Sequence, residues 1–383
     1  MLEIHEKTKC CGCGACKNIC PSNCISMQLD AEGFMYPIID HARCIDCDLC
    51  NKVCPIINSF TKNDGNSCSF YGAYNNDKNI NRDSSSGGIF WLLVQYVISN
   101  EGIVYGVALQ ENFRVVHSRA ETLENCVPFR KSKYLQSDTT NIYKQAKKDL
   151  DNGRMVLFSG SPCQIAGLYS YLQKDYNNLI SCDVVCHGVP SRAVFNKYID
   201  ELNHKMHDTA VSICWRDKRF GWNPNRISIQ FKSGREIITT SLENQYQKGF
   251  LSNLYLRPSC YKCPFAKLPR IGDISLADFW RYEGSLQQGN ENNGLSIIII
   301  STSKGKLIFD KIKKNCTVET VAKEYVTRKS RHVYTHPTCN KNRDAFFRDF
   351  QEKKFNALYR KYIKPKKKPI LFRIKRFIAS KIR

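Results

Sequence analysis

Eight cysteines near the N-terminus repeat one spacing. Cys10, Cys13, Cys16 and Cys20 are followed by Pro21, and Cys44, Cys47, Cys50 and Cys54 are followed by Pro55. Both runs read C-x2-C-x2-C-x3-C-P, the arrangement that holds [4Fe–4S] clusters in two-cluster ferredoxins. Two-residue gaps let three thiolates converge on one cube, while the fourth cysteine of each run reaches the other cube. The spacing therefore assigns Cys10, Cys13, Cys16 and Cys54 to one centre, and Cys44, Cys47, Cys50 and Cys20 to a second. Paired C-x2-C motifs can also make tetrahedral zinc sites. Two four-cysteine runs, each closed by a proline, fit zinc poorly. Cys11 and Cys24 stand outside the pattern as bystanders, although Cys11 could replace Cys10.

Four more cysteines stand where chemistry is placed in α/β proteins. Residues 155–158 read as a strand running into Ser159-Gly160-Ser161-Pro162-Cys163 and then a helix. Residues 179–185 read as another, ending at Cys186-His187-Gly188, with Ser191 as N-cap of a helix over 192–202. Repeated strand–turn–helix units predict a parallel sheet, and such sheets bind ligands beyond the carboxyl ends of their strands. A third C-x2-C, Cys260 and Cys263, completes a four-thiolate set with Cys163 and Cys186 and predicts a third [4Fe–4S] cluster. Buried structural thiols, or a redox dithiol at Cys260 and Cys263, are the plainer alternatives. Cys182 alternates onto the face of Cys186 and is a reserve ligand; Cys68, Cys126, Cys214, Cys316 and Cys339 are given no cluster role.

Ser84-Ser85-Ser86-Gly87-Gly88 precedes an apolar helix over 89–98. Hydroxyls and glycines opening a helix suit a phosphate, because backbone N–H groups point at it; an ordinary serine N-cap is the alternative. Lys131-Ser132-Lys133-Tyr134 offers a basic, aromatic loop, equally readable as a solvated face. Asp273 and Asp278 could hydrogen-bond a ribityl or ribose hydroxyl or cap local turns.

These residues need a scaffold of two parts. Residues 1–58 are read as a ferredoxin-like dicluster domain of α+β type, with short strands at 25–27 and 34–39 around a Glu32-Gly33 turn. A polar linker covers 59–70. An α/β body with a mainly parallel or mixed sheet follows, its first part at 71–150 and its second, with the third cluster, at 151–352. Hydrophobic content of 42% and aromatic content of 11% in 383 residues exclude wholesale disorder. The first residues lack the apolar core of a signal peptide, and no apolar run reaches the roughly 18 residues of a spanning helix. With thiolates that must stay reduced, this predicts a cytoplasmic protein. The formal charge of +23 is uneven: thirteen lysines and arginines and no acidic residue fall in 353–383. Thiolate-bound clusters add negative charge, so the total does not predict nucleic-acid binding. A zinc-binding, nucleic-acid-associated protein remains the distant alternative. Within the tail, Ile370, Ile374, Phe377, Ile378 and Ile382 share a helical face flanked by cations, which predicts peripheral contact with the inner face of a membrane.

Taken together, the motifs resemble the coenzyme F420 hydrogenase/dehydrogenase β-subunit family, in the form with a fused N-terminal dicluster ferredoxin domain. The matching segments are Ser86-Gly87-Gly88, Lys131 to Tyr134, FSGSPCQIAGL at 158–168, DVVCHGVPS at 183–191, RPSCYKCPF at 257–265 and GDISLADFW at 272–280. The same family includes iron–sulfur flavoenzymes similar to 7-hydroxymethyl chlorophyll reductase and divinyl chlorophyllide reductase. The resemblance implies FAD in the body beside an iron–sulfur cluster, with Ser86, Gly87, Gly88, Lys131, Ser132, Lys133 and Tyr134 as flavin or substrate contacts. It further implies an iron–sulfur flavin-dependent oxidoreductase that takes electrons from a ferredoxin or another redox partner and acts on a small organic substrate or deazaflavin-type coenzyme. The alternative is a non-catalytic electron-transfer subunit of a larger complex. His187 is the candidate proton donor, with a satisfied loop histidine as the plainer alternative.

Overall fold

Four consecutive isoleucines at 297–300 can all be buried in a strand only if both faces of its sheet are covered. The computed structural model describes residues 6–58, 68–288, 290 and 292–364. The linker falls almost wholly outside these residues, and so does most of the basic tail. In chain order the strands are β1 (Ile25–Leu29), β2 (Met35–Ile39), β3 (Ser69–Asn75), β4 (Ile103–Leu109), β5 (Val115–Ala120), β6 (Val156–Gly160) and β7 (Leu179–Val184). They continue with β8 (Ala210–Asp217), β9 (Arg226–Phe231), β10 (Glu236–Thr240), β11 (Ile274–Asp278), β12 (Ser296–Ile300) and β13 (Cys316–Thr320).

The body is built on an eight-stranded mixed sheet of order β13-β3-β12-β11-β7-β6-β4-β5. Strands β4, β6, β7 and β11 are mutually parallel, and antiparallel neighbours extend them on both sides. This is the mixed α/β sheet expected. Every residue of β12 is buried. Ile298 and Ile300 pack with the helix Ile89–Ser99, while Ile297 and Ile299 face an aromatic group around Phe279. Each such side chain contributes roughly 1.5–3 kcal/mol on burial. Strand β12 thus separates two apolar layers and fixes the register of β11 beside it.

A second sheet, β10-β9-β8, is antiparallel. Its inner face joins Phe195, Tyr246 and Phe250 in a core that also takes Phe34 and Tyr36 from the N-terminal module. The module is therefore packed into the body. Its hairpin β1-β2 pairs Ile25 with Ile39. Gly33 at the turn lies so close to Ala193 that a Cβ there would fall 2.4 Å from the Ala193 backbone nitrogen. Arg343 forks onto the Glu32 carboxylate, with Nη1 to Oε1 at 3.1 Å.

Candidate redox site

The two cysteine runs fold alike because their loops share a backbone pattern. Two residues after the first cysteine stand Gly12 and Asp46, and four after it stand Gly14 and Asp48; all four have positive φ. Each loop then enters a short helix, Ala15–Ile19 or Leu49–Lys52. Left-handed residues turn successive N–H groups inward, the kind of concavity that holds iron–sulfur centres. Gly14 could not be replaced by aspartate as its equivalent is, because a Cβ would lie 2.4 Å from the Thr139 hydroxyl of the body.

The side chains gather as the spacing predicts. Cys10, Cys13, Cys16 and Cys54 line one hollow, and Cys20, Cys44, Cys47 and Cys50 line another. Cys11 borders the first hollow. Cys24 borders the second, its sulfur 3.4 Å from that of Cys20. Neither is remote from the thiol sets. Among the described residues no three His, Cys, Asp or Glu side chains converge to hold a single metal ion.

A third hollow of about 220 Å³ is lined by Cys163, Cys186, Cys260 and Cys263. Cys163 follows the end of β6, one residue inside the helix Pro162–Leu172 that Ser161 caps. Cys186 follows the end of β7, and Cys260 and Cys263 come from the turn after Arg257. Burial and neighbouring thiols push Cys186 up to about 12 and Cys263 up to about 11. Four half-buried thiols of this kind release protons readily only when a metal replaces them. The donor set also fits a negatively charged group. The Nε of buried Arg270 and the hydroxyl of Ser259, both from residues lining this hollow, lack hydrogen-bond partners. The Val189 N–H donates to the Cys260 sulfur at 3.3 Å. Cys182 lies elsewhere: it is buried in the apolar layer against Ile180 and Ile274 and borders a different cavity, so the reserve-ligand role is not supported. Strand β7 ends at Val184, so its alternation does not extend to Cys186.

That different cavity, about 330 Å³, opens at the carboxyl ends of β6, β7 and β11, where an α/β sheet binds ligands. Ser86, Gly88, Lys131, Ser132, Lys133 and Tyr134 all border it. Their roles differ. The Ser86 hydroxyl donates to the Leu295 carbonyl at 2.6 Å, and the Gly87 N–H donates to the Ser296 hydroxyl at 2.9 Å. A Cβ on Gly87 would lie 2.4 Å from the Ala73 carbonyl, so this glycine serves close packing against β3 and β12. Gly88, at φ +80°, starts the helix Ile89–Ser99 without a side-chain cap. The first N–H groups of that helix have no partner within it, and Ile89 and Phe90 border the cavity. Lys133 donates to the Pro128 and Arg130 carbonyls, each at 2.6 Å, which leaves Lys131 as the exposed cation of this loop.

Three cations missing from the candidate residues stand out. Arg130 borders the cavity over the Trp91 ring, and its buried Nε is unpartnered. Arg216 forks onto Asp278 at 2.7 and 2.9 Å. Lys218 is buried among the carbonyls of Asn81, Ser86 and Asn293, and burial brings its pKa down to about 7. Cations beside an uncapped helix start suit an anionic ligand. The sequence signal for two of them was the Trp215-Arg216-Asp217-Lys218 run, which spacing alone could not connect to Ser86. Of the two carboxylates, Asp273 accepts from the backbone N–H and the hydroxyl of Ser181 and from the Thr302 hydroxyl, an internal structural role. Asp278 borders the cavity.

His187 also borders the cavity. Its Nε2 lies 3.3 Å from the Phe250 carbonyl and its Nδ1 3.3 Å from Nε2 of His332. The carbonyl can only accept, so His187 carries its proton on Nε2 and accepts at Nδ1 from His332. Burial lowers its pKa to about 4. Both ring nitrogens are engaged and the ring is neutral at pH 7, which favours the satisfied loop histidine over the proton donor.

An eight-cysteine module joined to a thiol-lined α/β sheet defines an iron–sulfur redox protein. Residues 9–56 match the 4Fe-4S dicluster domain. Residues 153–325 match the family described as the C terminus of the coenzyme F420 hydrogenase/dehydrogenase beta subunit. The description names hydrogenase and dehydrogenase, not chlorophyll reductases. No curated protein matches the chain. Among solved structures, a chain of the F420-reducing [NiFe] hydrogenase complex from Methanosarcina barkeri is similar, at 17% identity and a TM-score of 0.47, over 76% of this chain and 90% of that one. Among the described residues no helix is long and apolar enough to cross a membrane.

Proposed function

We propose that the chain is an iron–sulfur flavoprotein oxidoreductase carrying electrons between its N-terminal clusters and an organic substrate or deazaflavin-type coenzyme. One observation carries this reading: the Cys10 hollow, the body hollow and the cavity form a series joined by shared walls. Cys11 borders both the Cys10 hollow and the body hollow. Cys186, Gly188 and Val189 border both the body hollow and the large cavity. At the outer end Cys47 is exposed, which suits exchange with a ferredoxin or similar partner.

In this reading Cys163, Cys186, Cys260 and Cys263 hold a third [4Fe–4S] cluster. A flavin in the cavity would supply the exchange between single electrons and a hydride equivalent. The chain's own residues do the rest. Arg130, Lys131 and the start of the Ile89–Ser99 helix bind an anionic tail, and Trp91, Tyr134 and Phe250 provide flat apolar walls. The Gln164 amide donates to the Ser137 hydroxyl, which donates to His117 Nδ1, while His117 Nε2 donates to the Ser159 carbonyl. That closed network gives the cavity a rigid polar floor with no proton to spare.

Iron, sulfide and flavin analysis of anaerobically purified protein tests the reading. About twelve irons and one flavin per chain are expected, four irons to each cluster; about eight irons and no flavin would overturn it. Bound flavin that no acceptor reoxidises would reduce the proposal to an electron-transfer subunit.

A further inference from the structure

Arg257 lies at the junction of module and body and is fully buried. Its backbone is bonded to two residues that line the body hollow: its N–H donates to the Val189 carbonyl at 2.8 Å, and its carbonyl accepts from the Cys260 N–H at 2.9 Å. Its side chain crosses into the module. Nε donates to the Cys10 carbonyl at 2.7 Å, and Nη2 donates to the Met35 carbonyl at 2.8 Å and lies 3.6 Å from the Cys10 sulfur. Nη1 donates to the Gln136 side-chain carbonyl at 3.2 Å. The guanidinium lies over the Tyr36 ring at 4.2 Å. Gly12 makes room for it, since a Cβ there would fall 2.8 Å from Nη1.

No carboxylate is among these partners. A buried guanidinium without a carboxylate is costly, and the negative charge it can meet comes from thiolates, Cys10 at its Nη2 and Cys11 and Cys260 beyond it. Reduction adds an electron to a cluster that is already anionic, so a fixed cation at its ligand stabilises the reduced form more than the oxidised one. We propose that Arg257 is a positioning and tuning residue, which raises the reduction potential of the cluster held by Cys10, Cys13, Cys16 and Cys54 and so sets the junction through which electrons enter the body. The Cys20 cluster, on the far side of the module, takes no contact from Arg257 and keeps its own potential.

The inference rests on the assignment of Cys10 to that cluster, so two measurements are separated. Cys10→Ser must alter one cluster signal in electron paramagnetic resonance; two unaltered signals would sink the assignment. Potentiometric titration of the full chain, followed by the same signals, then compares wild type with Arg257→Gln and Arg257→Lys. Arg257→Gln is expected to lower the reduced-to-oxidised ratio of the Cys10 cluster at least tenfold at fixed potential, about 59 mV for a one-electron couple, with the Cys20 cluster unchanged. Arg257→Lys keeps the charge but loses the fork, and is expected to shift the same signal in the same direction by less. Unchanged midpoints in an iron-replete Arg257→Gln overturn the proposal, as do equal shifts in both clusters. If Arg257→Gln fails to hold iron, a wild-type midpoint in Arg257→Lys overturns it.

Discussion

In the module, eight of the ten thiols between residues 10 and 54 fall in the two runs and are aimed by two short loops with matching left-handed residues. In the body, four thiols come from the ends of β6 and β7 and from a turn some seventy residues beyond, and they meet only when the sheet is complete. Local loops can prepare a cluster site before the rest of the chain has folded. The body hollow is a product of the tertiary fold, and its metal would stabilise that fold because the unfolded chain cannot offer the site. The same ligand chemistry therefore tests folding differently in the two places.

The largest effect is expected for Cys260→Ala. It should cost about four irons per chain and stop reduction of the cavity ligand, while leaving the two module signals intact by electron paramagnetic resonance. A loss confined to the module signals would break the comparison. Next comes Arg130→Met, which removes the cation whose Nε is unpartnered beside the helix start. Flavin retention measured by fluorescence should fall roughly tenfold to a hundredfold, the worth of one charge-assisted hydrogen bond of about 1.5–3 kcal/mol. Cys11→Ala is a smaller and sharper probe. Iron content should hold, and electron passage from module to body in stopped-flow absorption should slow; a loss of about four irons would instead make Cys11 a ligand. The smallest effect concerns acid. Burial holds His117 and His187 at about 4, below the unfolded value of about 6.5. The unfolded chain then binds more protons between these values, so stability is full above pH 6.5 and falls as pH drops towards 4. For His117 the loss is about 3 kcal/mol over that window, and His117→Gln should flatten the slope of unfolding free energy against pH by about one proton.

The module was legible because its ligands are local: spacing alone pairs Cys54 with Cys10 and Cys20 with Cys44, and the hollows follow that crossing. Strands β6 and β7 were legible too, although read as 155–158 and 179–185 where Val156–Gly160 and Leu179–Val184 are found. What escaped was side-chain direction in three dimensions. Ser86 and Gly87 read as phosphate contacts but are spent on the Leu295 carbonyl and the Ser296 hydroxyl at the start of β12. Cys182 lies within β7, yet that strand ends at Val184, before Cys186. Arg257 sat within a recognised motif, but nothing in one dimension says that it reaches Cys10 across 247 positions. The signal available was an arginine beside a C-x2-C in a segment that must bury it.

The exposed Cys47 at the outer end has a consequence for damage. Oxidants arriving from solvent meet that thiol before the buried Cys13 or Cys54. The outer cluster would therefore act as a fuse. Brief air exposure should bleach it first and disconnect the chain from its electron donor while the interior centres and the cavity survive, so that repair of one surface-facing loop restores the whole path.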